Sequence, residues 1–220
     1  MIEIKNVTFY YAGLEQAGLS DINLTVPAGE CVLLCGASGC GKTTITRLIN
    51  GLIPHYYKGE LTGEVKVNGK EIGQQEMYSL AGLVGSVFQN PRSQFFSVDT
   101  DGEITFGLEN IGLPKEEILA RKEYVLNDLN LRDLMNRSLF DLSGGEKQKI
   151  ACGSVAALFP EIIILDEQSA PPHSKTILPQ ADFPESLPQY PSKVQTASST
   201  HTSHPEHNHP NDAPSPATEP

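Results

Sequence analysis

The chain has 220 residues, of which 39% are hydrophobic, and its formal net charge at pH 7 is −11. This length fits one large domain or two small ones. Because contact with a phosphate backbone needs a basic face, the acidic charge argues against nucleic acid as the main partner. No signal peptide is recognisable, and no apolar run approaches the roughly 18 residues that a membrane-spanning helix needs. A role at a membrane is therefore expected to need a separate protein.

The composition changes sharply near residue 168. All 19 glycines precede Glu167, whereas most of the 16 prolines and five of the six histidines follow it. Prolines at that density interrupt helices and strands, and a polar, repetitive segment cannot bury enough apolar surface to fold. We therefore expect a globular domain over residues 1–169 and a disordered tail, rich in Pro, His, Ser and Thr, over residues 170–220.

The first part of the chain predicts two strands. Residues 2–9 alternate apolar and polar side chains, as a half-buried strand does, and residues 19–26 do so less cleanly. Tyr11 lies in the connection between them, where an aromatic ring is able to stack on a purine base. A tyrosine that packs against the edge of the sheet is the alternative interpretation.

A glycine-rich stretch follows the apolar run 31–35, which we predict to be a strand. It precedes a segment with helical spacing and matches the pattern G-x-x-x-x-G-K-[ST]. In such a loop, backbone N–H groups point at phosphate oxygens, a lysine reaches the β- and γ-phosphates, and a hydroxyl contacts Mg²⁺. The sequence therefore predicts a nucleoside triphosphate site at Gly36, Ala37, Ser38, Gly39, Cys40, Gly41, Lys42 and Thr43.

The middle of the chain predicts a hairpin, a strand and several helices. Residues 64–67 read as a strand that turns at Asn68 and Gly69, and residues 83–88 as a second strand. Helical segments follow, one around residues 104–108 and one opened by Pro114. A single apolar stripe at helical spacing is expected at Ile118, Leu119, Val125, Leu126 and Leu129.

Two further motifs complete the pattern. Ser143, before two glycines, is expected to cap a helix that runs to residue 158 and offers free N–H groups to an anion, although a plain capped helix is the alternative. Residues 162–165 read as a strand buried on both faces of a parallel sheet. Asp166 and Glu167 follow it, at the end of the strand where ligands bind in such sheets.

The cysteines lack C-x-x-C spacing, which favours buried, reduced thiols over a metal site or a disulfide. They are Cys31, Cys35, Cys40 and Cys152.

These motifs, in this order and approximate spacing, resemble the ATP-binding cassette (ABC) ATPases over about residues 1–169. The resemblance implies an α/β P-loop NTPase fold with a RecA-like parallel sheet, an antiparallel β arm and a helical insert at about 91–158. Residues 90–97 and 106–110 look like the energy-coupling-factor ATPases, which drive vitamin and transition-metal uptake. Cofactors implied by the resemblance are ATP and Mg²⁺.

The resemblance also implies roles for single residues. Glu167 is expected to be the general base, and Gln89 to contact both Mg²⁺ and the attacking water. Metal contacts are implied for Thr43, Gln89 and Asp166. The signature residues expected to grip ATP of the other subunit are Ser143, Gly144, Gly145 and Gln148. Nucleotide contacts are implied for Tyr11, Gly36, Ala37, Ser38, Gly39, Cys40, Gly41, Lys42, Thr43 and Thr44.

Two partners follow from the same resemblance: a second ABC subunit in a head-to-tail homo- or heterodimer, and a transmembrane coupling protein. The insert with Phe95 and Phe96 is expected to meet that coupling protein, which places the chain peripherally on the cytoplasmic face of the cell membrane.

Beyond Glu167 the resemblance stops. The aspartate loop of the family is missing, and no apolar strand leads to a switch histidine, so the C-terminal part of the core is expected to be absent. His201 lies at a plausible distance for that histidine, but chance in a histidine-rich tail is the alternative. A loose transition-metal site at His201, His204, His207 and His209 competes with a plain disordered tail. Two functions stay open: a transport ATPase subunit, or a truncated or frame-shifted remnant with little turnover.

Overall fold

The structure is a computed structural model that describes residues 1–166. Its strands are β1 (Ile2–Tyr11), β2 (Leu19–Val26), β3 (Gly59–Val67), β4 (Lys70–Glu71), β5 (Val84–Val87) and β6 (Ile162–Leu165). The helices are α1 (Lys42–Ile49), α2 (Leu52–His55), α3 (Met77–Ala81), α4 (Thr100–Asn110), α5 (Lys115–Asp128) and α6 (Gly144–Ala157). Short 3₁₀ turns lie at Ile72–Gln74, Pro91–Ser93, Arg132–Leu134 and Leu139–Asp141.

The strands predicted at residues 2–9, 19–26 and 64–67 are confirmed and form one antiparallel sheet. Its strand order is β2-β1-β3-β4, and Ile4 of β1 pairs with Leu24 on one side and Val65 on the other. Asn68 and Gly69 both have positive φ, 48° and 77°, which is the backbone that a two-residue hairpin turn requires. The register of β1 shifts between Ile4 and Val7, yet both side chains lie on the apolar face of this sheet, in one core.

That apolar face packs against the phosphate-loop helix. Phe9, Val7 and Val67 of the sheet are fully buried, and Leu48 of α1 and Ile53 of α2 join them in one core. Burying such side chains contributes about 1.5–3 kcal/mol each, so this core fixes α1 on the sheet. The start of α1, where the loop ends, is positioned by this packing.

β5 and β6 form a second sheet, a parallel pair in which Val84 lies beside Ile162 and Val87 beside Leu165. The two predicted strands are thus confirmed. The expectation of a strand buried on both faces is wrong for β6, because Ile164 is buried but Leu165 is 41% exposed. Since parallel strands end at the same edge, the residues that follow β5 and β6 lie close together.

The predicted strand at residues 31–35 is not formed in the structure. Glu30 makes an isolated bridge, residues 31–37 have no regular structure, and the Leu33 side chain is 72% exposed. A strand needs neighbours for its backbone groups, and within residues 1–166 none pairs with this run. The prediction of buried cysteines is wrong for Cys31, Cys35 and Cys40, whose free thiols are exposed, whereas Cys152 is half-buried.

The helices α4, α5 and α6 form a separate apolar cluster. Ile104, Val125 and Ile150 are buried in it, whereas Leu119 is 50% exposed and does not belong to the predicted stripe. α6 crosses this cluster at Gly153, where an added Cβ would lie 2.6 Å from Leu131 Cδ1. The absent side chain therefore permits the close approach.

Among the helices of residues 1–166, none combines the length and apolar character that crossing a bilayer requires.

Candidate nucleotide site

The phosphate loop is an open turn that ends in α1. Gly39 and Gly41 have φ values of 81° and 96°, a conformation that side-chain-bearing residues rarely adopt. Gly41 is the N-cap of α1, and within residues 1–166 no side chain caps this helix, so the first N–H groups of α1 are left for another acceptor. An anion at this position would also face the positive end of the helix dipole.

The glycines of the loop also permit close packing. A Cβ on Gly36 would meet Cys40 Sγ at 2.6 Å, and one on Gly41 would meet the Leu19 side chain at 2.7 Å. The loop is therefore folded back on itself and rests on the first residue of β2. Side chains at these two positions would force the loop out of this shape.

Lys42 lies across the mouth of the loop. Its Nζ donates hydrogen bonds to the carbonyl oxygens of Gly36 and Ala37, both at 2.9 Å. Those two carbonyls are the start of the same turn, so the ammonium group is held over the loop. Phosphate oxygens that enter the loop would meet this charge first.

The structure brings Thr43 and Asp166 together, although 123 positions separate them. The hydroxyl of Thr43 donates to Asp166 Oδ1 at 3.4 Å. The Asp166 amide donates to the carbonyl of Val87 at 2.9 Å, which fixes the main chain of Asp166 to the neighbouring strand. Hydroxyl and carboxylate oxygens are the ligands that Mg²⁺ prefers, so this pair fits the predicted metal.

Gln89 lies two residues beyond Val87, at the same edge as Asp166. The loop that carries it is closed by its own side chains: the Phe88 amide donates to Gln94 Oε1 at 3.0 Å, and Asn90 Oδ1 accepts from the Arg92 amide at 3.1 Å. Gln89 itself is exposed. Its metal and water contacts stay a prediction, and Glu167, the next residue after Asp166, lies outside the described residues.

Tyr11 is the last residue of β1 and contacts the phosphate-loop helix. Its hydroxyl lies 3.1 Å from Thr44 Oγ1, and its ring meets Phe9 edge to face with 4.8 Å between centroids. The side chain is half-buried, as the edge-packing interpretation expects. Stacking on a base stays a prediction, and the geometry adds that the ring is tied to the loop.

The signature residues begin α6. Ser143 and Glu146 form a capping box: the Glu146 amide donates to Ser143 Oγ at 3.3 Å, and the Ser143 amide donates to Glu146 Oε2 at 2.7 Å. Among residues 1–166, nothing lies within 4 Å of a Cβ placed on Gly144 or Gly145, so this part of the chain leaves the surface open. Their role, and that of Gln148 one turn on, stays a prediction.

Lys147 and Arg137 also make contacts that stabilise the start of α6. Lys147 is 6% exposed, and its Nζ donates to the carbonyl oxygen of Leu142 at 2.5 Å, directly before the signature. Arg137 Nη1 donates to Glu146 Oε1 at 2.8 Å. Sequence reasoning missed both residues, because their partners become neighbours only when the preceding turn folds back.

Hydrogen bonds from Ser143, then the guanidinium of Arg137, lower the pKa of Glu146 from 4.5 to about 2. Because the folded-state pKa is depressed, the stabilisation is present above pH 4.5 and is lost as pH falls towards 2. The free energy of unfolding of Glu146→Gln is therefore expected to lie furthest below that of the wild type at pH 6. The difference should be smaller at pH 4. Urea unfolding at both values measures it.

Glu116→Gln is the matched control for that experiment, because Glu116 lies in the first turn of α5, which no side chain of the described part of the chain caps. Its difference from wild type is expected to be smaller than that of Glu146→Gln at pH 6. A difference for Glu146→Gln that does not shrink on acidification would contradict the capping account.

Comparison with known proteins assigns the family. Residues 19–170 match the family model described as ABC transporter. A putative ABC transporter ATP-binding protein of Treponema denticola is 57% identical over 170 residues, which are 77% of this chain and 35% of that protein. One of Methanosarcina mazei is 44% identical over 77% of this chain and 29% of its own length. The chain belongs to the ABC transporter family and spans about a third of these curated relatives.

Solved structures agree on the fold. The structure of cbiO1 from Clostridium perfringens, described as part of the ABC transporter complex cbiONQ, superposes with a TM-score of 0.65 at 28% identity, covering 76% of this chain and 64% of that one. The ATP-binding cassette MJ0796, in a dimeric post-hydrolysis state bound to ADP and Pi, gives 0.63 at 27% identity, covering 75% and 73%. The predicted α/β P-loop fold is thus confirmed.

Within residues 1–166, no group of His, Cys, Asp and Glu side chains is arranged to hold a metal ion by itself. The tail histidines at 201, 204, 207 and 209 lie outside the described residues, as does the whole predicted segment 170–220. The division of the chain at residue 169 also stays a prediction.

Proposed function

We propose that this chain binds and hydrolyses ATP as a subunit that powers a membrane uptake transporter, with a vitamin or a transition-metal ion as cargo. The contact between Thr43 and Asp166, 3.4 Å between oxygens, is the observation that carries the proposal. It places a carboxylate from the end of β6 beside the phosphate loop, as a site for a metal-bound triphosphate needs.

The residues of this chain divide the work in that reaction. The N–H groups of the loop and Lys42 hold the phosphates, and Thr43 and Asp166 would hold Mg²⁺, which would supply positive charge to the phosphate oxygens. Gln89, in the loop that follows β5, positions the attacking water. Glu167 takes the proton of that water, because a carboxylate within reach acts as a general base.

A second subunit completes the site in this proposal. The open surface of Gly144 and Gly145 faces the γ-phosphate of ATP bound to the other copy, in a head-to-tail homo- or heterodimer. The dimeric state of the structural neighbour bound to ADP and Pi supports this arrangement. Closure of the two copies on ATP would supply the mechanical step.

The helical insert is the proposed contact with a transmembrane coupling protein. Phe96 is 73% exposed and stacks on Phe106, with ring centroids 4.8 Å apart and planes at 6°. Glu103, which is buried, accepts the Phe96 and Ser97 amides at 3.0 and 2.9 Å and so fixes the turn that presents this ring. An exposed, rigid aromatic surface suits a partner. The chain would then lie peripherally on the inner membrane face.

The choice of an uptake transporter rests on the likeness to cbiO1, whose structure is described as part of the complex cbiONQ. The competing hypothesis of a remnant with little turnover is not favoured over this one, since the phosphate-loop helix, the contact of Asp166 with Thr43 and the signature helix are all formed.

Titration of the full chain with ATP tests the nucleotide site. In isothermal calorimetry we expect saturable binding of ATP with Mg²⁺ and weaker binding in EDTA, because Thr43 and Asp166 act through the metal. Equal affinity with and without Mg²⁺ would contradict the role given to this pair, and absence of binding would contradict the proposed function.

A further inference from the structure

A cluster of aromatic and polar side chains lies on the flank of α1, beside the phosphate loop. Arg47, one turn beyond Thr43, is half-buried, and so are Tyr11 at the end of β1 and Tyr57 before β3. None of the catalytic or phosphate-binding roles derived above uses Arg47 or Tyr57. The cluster therefore calls for an explanation of its own.

Arg47 holds Tyr11 through two contacts of different kinds. Its Nη1 donates to the Tyr11 hydroxyl at 3.0 Å, and its guanidinium carbon lies 4.1 Å from the centre of the Tyr57 ring. The cation on the ring face fixes the planar guanidinium, so that its N–H points at the phenol oxygen. No ion pair within residues 1–166 includes Arg47, so these contacts alone orient it.

Two neighbouring rings and one backbone segment also restrain the Tyr11 ring, which stays partly exposed. It meets Phe9 and Tyr57 edge to face, at 4.8 and 6.2 Å between centroids. A Cβ on Gly18 would lie 2.9 Å from Tyr11 Cε2, so the backbone of Gly18 closes one edge. With its hydroxyl held by Arg47 and Thr44, the ring has one orientation before any ligand arrives.

The hydrogen bonds also have a preferred direction. Arg47 is only a donor, so the Tyr11 oxygen accepts from it, which polarises the phenol towards donating its own proton to Thr44 Oγ1 at 3.1 Å. Thr44 directly follows Thr43 of the phosphate loop. The cluster therefore links the Tyr11 ring, which is predicted to stack on the base, to the phosphate end of the site.

We propose that Arg47 is the positioning residue for the nucleobase end of the site: it holds the Tyr11 ring ready, and so sets how much the base adds to nucleotide affinity. This inference rests on the proposed function, that the chain binds ATP. Without Arg47, the ring would have to be ordered when the base binds, and ordering a side chain costs affinity.

Two ligands, one with and one without the nucleoside, separate this role from damage to the loop. MgATP carries the base, whereas the magnesium complex of inorganic triphosphate offers the phosphate chain alone. With the full-length chain, Arg47→Met is expected to weaken MgATP binding about threefold to tenfold and to change triphosphate binding by less than about twofold. The measured quantity is the dissociation constant of triphosphate divided by that of MgATP, and this ratio should fall in Arg47→Met.

Further variants keep the inference testable if Arg47→Met unfolds. Tyr57→Leu removes the ring under the guanidinium and should lower the same ratio, whereas Arg47→Lys retains a donor and a cation and should restore part of it. Arg132→Met is the matched control, because Arg132 is 54% exposed in an ion pair with Glu123, remote from Tyr11 in the contacts it makes. Circular dichroism checks the fold of each variant.

Two results would overturn the inference: equal weakening of both ligands by Arg47→Met and Tyr57→Leu, which would indicate a structural role in α1, or an unchanged ratio in both. Absence of binding of either ligand to the wild-type chain is a different result, which would refute the proposed function and this inference with it.

Discussion

Replacing Lys42 with alanine is expected to weaken MgATP binding by about tenfold to a hundredfold, since a hydrogen bond to a charged group is worth roughly 1.5–3 kcal/mol. The ammonium group lies over the loop, 2.9 Å from the carbonyl oxygens of Gly36 and Ala37. In the complex, phosphate oxygens would replace those carbonyl oxygens as acceptors, and the phosphate oxygens carry more negative charge. Calorimetric titration of the full chain measures the loss.

Lys70→Ala is the control, because Lys70 is an exposed lysine on β4, outside the phosphate loop. It removes the same charge from the chain and should leave the dissociation constant within about twofold, as a surface charge contributes little. Equal thermal midpoints of the two variants would show that the fold is intact. Unchanged affinity in Lys42→Ala would contradict the assignment of the loop.

Local pattern was sufficient for most of the fold. Alternation of side chains predicted β1 and β2, and the Asn68-Gly69 turn predicted the hairpin, because the cause of each element lies in neighbouring residues. The same reasoning failed at residues 31–35. An apolar run forms a strand only where another strand supplies its hydrogen bonds. The run itself carries no information about that neighbour.

The candidate site divides in the same way. The phosphate loop and its helix were predictable, since glycine spacing and helix start are local, and α1 does begin at Lys42. The approach of Asp166 to Thr43 was expected only from the rule that ligands bind where parallel strands end. Arg47, Arg137 and Lys147 were missed, because each acts through a partner that its sequence neighbours do not reveal.

Glu103 shows the limit of such reasoning most clearly. In sequence it is one acidic residue in a helix, where an exposed position is the usual expectation. In the structure it is 3% exposed and accepts the amides of Phe96 and Ser97. The hydrogen-bonding needs of this buried carboxylate are met by backbone donors from another segment. The sequence of the helix itself does not predict those donors.

Exchanging Glu167 for glutamine is expected to lower ATP hydrolysis by about a hundredfold or more, because general-base catalysis contributes about 10²–10⁴ in rate. Glutamine has nearly the same shape but cannot take a proton from water. Since Glu167 is proposed to act in the chemical step and not in holding the phosphates, MgATP affinity should stay within about threefold. Phosphate release at saturating MgATP, measured beside calorimetric binding, separates the two effects.

Asp166→Asn is the informative comparison, because it alters the adjacent carboxylate and is expected to act on the metal. Its backbone is held by the Val87 carbonyl at 2.9 Å, so the exchange should leave the edge of the sheet in place and remove only the charge beside Thr43. Binding of ATP should then lose its dependence on Mg²⁺, which Glu167→Gln should retain. If Glu167→Gln released phosphate at the wild-type rate, the proton acceptor would have to lie elsewhere, and the role proposed for Glu167 would be contradicted.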